Sequence, residues 1–129
     1  MNPIFVVALV AVAIVFFMAF KGIRQTGTFI NADARLFAEK IKLGGNIVIV
    51  DVRTPSEVAQ GAIKDSINVD VSAPDFKGKI AGLDKEKTYM VYCRSGVRSV
   101  RACNIMSENG FKNLVNLQGG YQAWTSYSK

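Results

Sequence analysis

The stretch Tyr92-Cys93-Arg94-Ser95-Gly96-Val97-Arg98-Ser99 joins a predicted strand to a predicted helix. Residues 88–92 are mostly β-branched, aromatic or apolar, which predicts a short buried strand. After the stretch, apolar residues recur at near-helical spacing up to a stop signal at Asn109-Gly110: Val97, Val100, Cys103 and Met106. Cys93 is therefore expected where a strand ends, in a polar loop that leads into a helix N-terminus.

Several features of this loop favour the thiolate form of Cys93. Backbone N–H groups at such a turn form an anion-binding nest, and the helix dipole adds positive potential. Arg94 and Arg98 add two cations. Because the thiolate is the nucleophilic form of cysteine, we predict that Cys93 is reactive. The other residues of the predicted binding loop are Ser95, Gly96, Val97 and Ser99.

Cys103 is interpreted differently, as a small core residue. It lies in the middle of the predicted helix, on the same apolar stripe as Val100 and Met106. A disulfide between Cys93 and Cys103 is not expected, because the intervening helix holds the two sulfur atoms apart.

Four segments of the chain, in their order and spacing, resemble single-domain rhodaneses, which are sulfurtransferases. The segments are Asp51–Glu57, Gly61–Asn68, Cys93–Ser99 and Gly119–Trp124, and the resemblance covers about residues 30–127. It implies that sulfane sulfur passes from a donor such as thiosulfate to a thiol or cyanide acceptor, through a persulfide on Cys93. Arg94 and Arg98 would hold the anionic donor, the amides of residues 94–99 would cradle the sulfur, and no cofactor is implied.

Other functions remain open at this point. A membrane-tethered sulfur carrier, or a rhodanese-like binding or regulatory module, would keep the loop but turn over little. A redox protein would need Cys103 as its resolving thiol. A phosphatase is disfavoured because Cys93 and Arg98 form a Cys-x4-Arg motif, one residue shorter than the loop of cysteine phosphatases. Ser99 then occupies the position of the phosphate-binding arginine.

The composition of the chain disfavours further classes of function. The 129 residues suffice for one domain, and sixteen Lys and Arg against ten Asp and Glu give a net charge of +6. The basic residues form no block, which disfavours nucleic acid and suits anionic substrates or an anionic membrane surface. The sequence has no histidine and only two cysteines, so we predict no metal site and no Cys–His catalytic pair.

Strands alternate with helices along the chain, which predicts an α/β fold: a rhodanese-like open parallel sheet with helices on both faces. We expect Asn31 to cap a helix that runs to about Ile41, with Leu36 and Phe37 on its buried face. The β-branched run at residues 47–50 predicts a central strand that ends at Asp51.

Asp51 and Arg53 are candidates to support the site, because ligands collect at the carboxyl ends of strands in open α/β sheets. A structural role is the alternative, with an Arg53–Glu57 ion pair and with Asp51 bonding loop amides. Thr54 is expected to cap the following helix.

Residues 1–21 are predicted to form a transmembrane anchor. From Pro3 to Phe20 no residue is charged, and a helix of this length spans about 27 Å, close to a bilayer core. A cleaved signal segment is disfavoured, because no basic side chain precedes the apolar run and its end is a poor cleavage site.

The charges around this segment predict its orientation. Lys21, Arg24 and Arg35 follow the apolar run and none precedes it, which places the remaining chain on the cytoplasmic side. An exported domain is the alternative. Residues 22–30 are expected to be a linker, and residues 31–129 the rhodanese-like domain.

Overall fold

The computed structural model describes residues 2–4 and 28–129. Five strands form one sheet in the order β1-β5-β4-β2-β3, and every neighbouring pair is parallel. The strands are β1 (Ile30–Ala32), β2 (Ile47–Asp51), β3 (Ile67–Asn68), β4 (Thr88–Tyr92) and β5 (Asn113–Leu117). The predicted open parallel sheet is confirmed, with β4 at its centre.

Helices cover both faces of this sheet, as predicted. They are α1 (Ala34–Leu43), α2 (Pro55–Ala59), α3 (Phe76–Ala81), α4 (Val97–Glu108) and α5 (Gly120–Tyr127). One face packs against Phe76 and Met106, from α3 and α4. The other packs against Phe37 of α1 and Trp124 of α5, whose rings meet edge-on at 6.0 Å.

The segment around Asn31 differs from the sequence prediction. Asn31 lies in β1, beside Asn116 of β5, whose Nδ2 donates to Asn31 Oδ1 at 2.9 Å. Asp33 caps α1 instead, because its carboxylate accepts from the backbone N–H of Leu36 at 2.9 Å. The predicted cap at Asn31 is therefore wrong, and β1 already begins at the last residue of the predicted linker. Phe37 is buried as expected, but Leu36 is exposed.

The sheet register brings two strand ends together. Asp51 at the end of β2 pairs with Tyr92 at the end of β4. The turn that follows β2 and the loop that follows β4 therefore lie side by side at the carboxyl edge of the sheet, where ligands of this class of fold bind.

The predicted membrane anchor lies outside the described residues, apart from residues 2–4. In the part of the chain that the structure describes, no helix combines the length and hydrophobicity that a membrane span requires.

Candidate active site

Cys93 follows β4 directly, and its side chain is fully buried. Gly96 has a φ of 98°, which turns the chain into α4 at Val97 and directs its backbone N–H to the Cys93 Sγ at 3.1 Å. The hydroxyl of Ser99 lies 3.3 Å from the same sulfur. The loop therefore surrounds the sulfur with hydrogen-bond donors, as a bound anion would require.

These contacts change the acidity of the thiol. Burial raises the pKa of Cys93, but hydrogen bonds from the Ser99 hydroxyl and from the backbone N–H groups of Ser99, Gly96 and Ser95 lower it. The hydrogen bonds outweigh burial, so the pKa of Cys93 lies below its ordinary value. A larger fraction of the thiol is thus ionised at neutral pH than in an ordinary cysteine.

Cys103 occupies the same apolar cluster as Cys93, one helix turn after Ser99. Burial raises the pKa of Cys103 to about 12, and the nearby Cys93 adds to the rise. Both cysteines are free thiols. The interpretation of Cys103 as a core residue is confirmed.

Arg98 forms a bidentate ion pair with Glu57. Its Nη1 and Nη2 donate to the two carboxylate oxygens at 2.7 Å and 2.8 Å. The hydrogen bond from Arg98 lowers the pKa of Glu57 to about 2, and Glu57 also completes the capping box with Thr54 at the start of α2. Arg98 therefore ties the loop's helix to α2, and its charge is paired with a carboxylate. The predicted Arg53–Glu57 pair is wrong.

Arg53 pairs with Asp51 instead. Its Nη2 donates to Asp51 Oδ2 at 2.6 Å, and its backbone N–H donates to Asp51 Oδ1 at 3.0 Å. Both side chains are buried, and Arg53 also donates to the carbonyl of Gly61 at 2.7 Å. The Arg53 guanidinium lies 4.4 Å from the ring centre of Tyr121. This pair fixes the turn after β2, which is the structural role that sequence analysis left open.

The start of α5 supports the Cys93 loop through its backbone. The N–H groups of Tyr121 and Gln122 donate to the carbonyls of Cys93 and Arg94 at 2.7 Å and 3.1 Å. Gly120 makes this approach possible, because its φ is 62° and an added Cβ would lie 2.5 Å from the Arg94 carbonyl. The sequence marks Gly119–Trp124 as one of the four segments of the resemblance, but it does not predict this contact, because the two segments are distant in the chain.

The exposed part of the loop differs from the predicted pattern at Val97. This residue is 75% exposed, although the sequence pattern placed it on the buried stripe. It occupies the first position of α4, where the helix has not yet reached the sheet, and the buried residues begin at Ser99. Arg94 and Ser95 are also exposed. Within residues 2–4 and 28–129, Arg94 makes no salt bridge.

A cavity of about 280 Å³ adjoins the loop at Arg94. It lies between α2 and α5 and is lined by Arg53, Glu57, Gln60, Arg94, Tyr121, Gln122 and Thr125. Sequence analysis missed Gln60, Tyr121 and Gln122. The position of Tyr121 and Gln122, directly after a glycine turn at the carboxyl edge of the sheet, was the available signal.

The arrangement provides a buried thiol of lowered pKa, in a loop whose Arg94 lines a polar cavity. Within the described residues, no three potential metal-ligating side chains come together.

Comparison with known proteins gives a consistent result. A family model described as a rhodanese-like domain matches residues 33–127. YtwF of Bacillus subtilis (strain 168) is 40% identical over 91 residues, which are 70% of this chain and 85% of YtwF. A protein of Allochromatium vinosum named sulfurtransferase is 30% identical over 95 residues, covering 74% of this chain and 87% of that protein.

Solved structures agree with these matches. The crystal structure of a rhodanese-related protein from Thermoplasma volcanium has a TM-score of 0.67 and 32% identity, and the match covers 77% of this chain and 93% of that one. A rhodanese-like domain protein from Staphylococcus aureus has a TM-score of 0.67 and 27% identity, covering 74% and 91%.

Proposed function

The chain belongs to the rhodanese-like sulfurtransferase family, and we propose that it moves sulfane sulfur from a donor such as thiosulfate to a thiol or cyanide. The sulfur is carried as a persulfide on Cys93. One observation carries this proposal: the Cys93 Sγ receives the Gly96 N–H at 3.1 Å and lies 3.3 Å from the Ser99 hydroxyl. These groups stabilise a sulfur anion before and after each transfer.

In the first step, the Cys93 thiolate attacks the outer sulfur of thiosulfate. A bond forms between the Cys93 Sγ and that sulfur, and the sulfur–sulfur bond of the donor breaks. Its electron pair leaves with sulfite, and the negative charge that Cys93 brought now resides on the outer sulfur of the persulfide. In this proposal, the backbone N–H groups of the loop stabilise this charge.

In the second step, a thiolate or cyanide attacks the outer sulfur of the persulfide. The bond to Cys93 breaks, and its electron pair returns to the Cys93 Sγ, which becomes a thiolate again. The product is the persulfide of the acceptor, or thiocyanate. The reaction needs no general base, because the loop lowers the pKa of Cys93, and the sequence has no histidine to serve as one.

The two arginines of the loop have different roles in this proposal. Arg94 is exposed and attracts the anionic donor. Arg98 holds the loop against α2 through its bidentate pair with Glu57, and its effect on the donor is correspondingly weaker.

Intact-mass measurement on the full chain tests the proposal. After incubation with thiosulfate, we expect the wild type to gain the mass of one sulfur, and cyanide or a thiol to remove it. Cys93→Ser should gain nothing, and Cys103→Ala is the matched control that should behave like the wild type.

Three other results would change the proposed function. A folded wild type that gains no sulfur would reject thiosulfate as the donor. A persulfide that forms but is not released to small acceptors would favour the sulfur-carrier alternative over an enzyme. A gain that Cys103→Ala abolishes would move the reactive thiol to Cys103.

We further propose that residues 3–20 anchor the chain in a membrane, with the domain on the cytoplasmic side. The uncharged apolar run and the basic residues that follow it support this proposal. The chain should sediment with membranes after alkaline washing, and a variant without residues 2–21 should stay in the supernatant. Protease added to right-side-out vesicles should leave the domain intact; digestion there would instead favour the exported alternative.

A further inference from the structure

The amino ends of the strands form the edge of the sheet opposite the Cys93 loop. Because neighbouring strands are parallel, the first residues of β1, β4 and β5 lie at this edge: Ile30, Thr88 and Asn113. Thr28 leads into β1 at the same edge. The Cys93 loop follows the other end of β4. The point where the chain enters the domain and the reactive thiol therefore lie at opposite edges of the sheet.

A cavity of about 380 Å³ opens at the amino edge, and two lysines line it. Lys40 belongs to the last turn of α1, and Lys112 directly precedes β5. Phe29 and Ile30 line the same cavity and supply apolar surface, and Ile30 is 55% exposed. Positive charge and exposed hydrophobic surface thus occur together where the chain enters the domain.

The end of α1 extends this combination. Leu43, the last residue of the helix, is 86% exposed and lies three residues after Lys40, on the same side of α1. Lys42 precedes it and is also exposed. We call Ile30, Lys40, Lys42, Leu43 and Lys112 the amino-edge surface. Protein surfaces that lie on membranes have this composition, because apolar side chains enter the interface while cations meet the lipid phosphates.

The positive charge of the amino-edge surface is largely not neutralised by the protein. Lys40 and Lys42 make no salt bridge with any residue that the structure describes. Lys112 lies 3.5 Å from Glu86, but the two side chains are 71% and 73% exposed, and such a pair contributes little. The other charged side chains near this edge are three cations and three anions, which offset each other: Arg35, Lys85, Lys87, Glu39, Asp84 and Glu108.

The length of chain before residue 28 keeps the amino edge close to the proposed anchor. The uncharged apolar run ends at Phe20, and only residues 21–27 separate it from the described domain. A link of this length spans at most about 25 Å, which is less than the diameter of about 30 Å of a small domain. Lys21 and Arg24 in this link add two more positive charges. The edge where the chain enters therefore stays near the membrane surface.

We propose that the amino-edge surface docks on the anionic lipid headgroups of the membrane that holds residues 3–20. This inference rests on the proposed membrane anchor and names the part of the domain that meets the bilayer. Lys40 and Lys112 bind lipid phosphates, and Leu43 enters the interface beside them. The Cys93 loop then faces away from the membrane, so its sulfur donors and acceptors arrive from the water.

The test measures which lysines the membrane protects. The full chain is placed in nanodiscs of phosphatidylcholine alone, or of phosphatidylcholine mixed with phosphatidylglycerol. Reductive methylation of each lysine is then followed by peptide mass spectrometry, and each rate is divided by the rate at Lys77. This reference lysine begins α3 after Phe76 and lines a separate cavity with Val71, which follows β3. Protection is the relative rate in neutral nanodiscs divided by the relative rate in anionic ones.

We expect protection of about 3-fold or more at Lys40, Lys42 and Lys112, and its loss in high salt, because the docking is electrostatic. Lys42→Glu puts a negative charge on the amino-edge surface and should bring protection at Lys40 and Lys112 to within about 2-fold of none. Lys64→Glu makes the same charge change before β3, at the opposite side of the sheet from β1, and should leave protection unchanged.

The outcomes separate this inference from the anchor on which it rests. If the chain is in the nanodiscs but the three lysines show no protection, the inference is overturned and the anchor stands. If Lys64→Glu removes protection as fully as Lys42→Glu, overall charge is the cause and the inference is also overturned. If the folded chain does not associate with nanodiscs of either composition, the proposed anchor fails, and the docking surface fails with it.

Discussion

Cys93 and Cys103 are both fully buried, and both belong to the same apolar cluster. Their acidities nevertheless move in opposite directions. Burial raises the pKa of Cys103 to about 12, while the pKa of Cys93 is lowered even though burial opposes it. The difference comes from the groups around each sulfur: N–H and hydroxyl donors in the loop, and apolar neighbours in the helix. Burial alone therefore does not make a cysteine inert; the lack of donors does.

The largest expected effect tests the two cysteines directly. Cys93→Ser should lower sulfur-transfer turnover by about three orders of magnitude or more, because the nucleophile is lost. Cys103→Ala should keep turnover within about 2-fold and should lower the free energy of unfolding by about 1 to 2 kcal/mol, through lost packing. Turnover assays and chemical denaturation measure the two quantities. If Cys103→Ala is fully folded but loses turnover, the assignment of Cys103 as a core residue without a catalytic role is wrong.

The next effect concerns the support behind the loop. Gly120→Ala would place a methyl group 2.5 Å from the Arg94 carbonyl, at a φ of 62°. We expect the free energy of unfolding to fall by about 3 kcal/mol or more. We also expect alkylation to lose most of its selectivity for Cys93 over Cys103. Gly45→Ala is the matched control, because its φ is 89° but its Cβ would enter open space. It should cost only about 1 kcal/mol of backbone strain. If the two variants lose equal free energy of unfolding, the Cys93 loop can move away from an added methyl group at position 120 without cost.

A smaller effect concerns the donors themselves. Ser99→Ala removes the hydroxyl that helps to lower the pKa of Cys93. The thiolate is the reactive form, so the rate of alkylation by iodoacetamide rises with pH through that pKa. The midpoint should move to higher pH in Ser99→Ala, and the rate at pH 7 should fall by about 5- to 10-fold. Ser95→Ala keeps the backbone N–H and should leave the profile unchanged; a shift of the same size there would refute the role of Ser99.

The smallest effect concerns the ion pair that holds the loop's helix. The pKa of Glu57 is about 2 in the folded protein, because Arg98 hydrogen-bonds its carboxylate, against an ordinary value of 4.5. The pair therefore stabilises the fold above about pH 4.5, and this contribution is lost as the pH falls toward 2. Glu57→Gln should lower the free energy of unfolding by about 1 to 2 kcal/mol at pH 7, allowing for partial exposure.

The same difference should shrink when unfolding is measured in acid, since the wild type then loses the pair as well. Glu39→Gln breaks an exposed pair with Arg35 and serves as the control, for which we expect little change at either pH. A constant difference between Glu57→Gln and the wild type from pH 7 to pH 3 would mean that the ion pair is not its cause.

Sequence patterns predicted the parts of the molecule that depend on neighbouring residues. The strand that ends before Cys93, the helix after it, and the cap at Thr54 all follow from local spacing, and the structure contains each of them. The loop around Cys93 is also local, because its donors come from the next six residues.

Features that join distant segments could not be predicted in this way. Glu57 has two arginines within plausible reach, and sequence spacing favoured Arg53, four residues away. The fold places Arg98 beside it, 41 residues along the chain, while Arg53 turns back to Asp51. The cavity beside Arg94 arises likewise, from helices that follow two different strands.

The order of strands in the sheet has a consequence for synthesis on the ribosome. Among the strands that the structure describes, β1 pairs only with β5, and Asn31 and its partner Asn116 are 85 residues apart. During translation, β1 therefore cannot pair with its partner strand until nearly the whole domain has been synthesised. The same holds for the loop, since Tyr121 and Gln122 are translated well after Cys93. A nascent chain that already exposes Cys93 still lacks this support, so the reactive thiol matures only after translation has passed β5 and the start of α5.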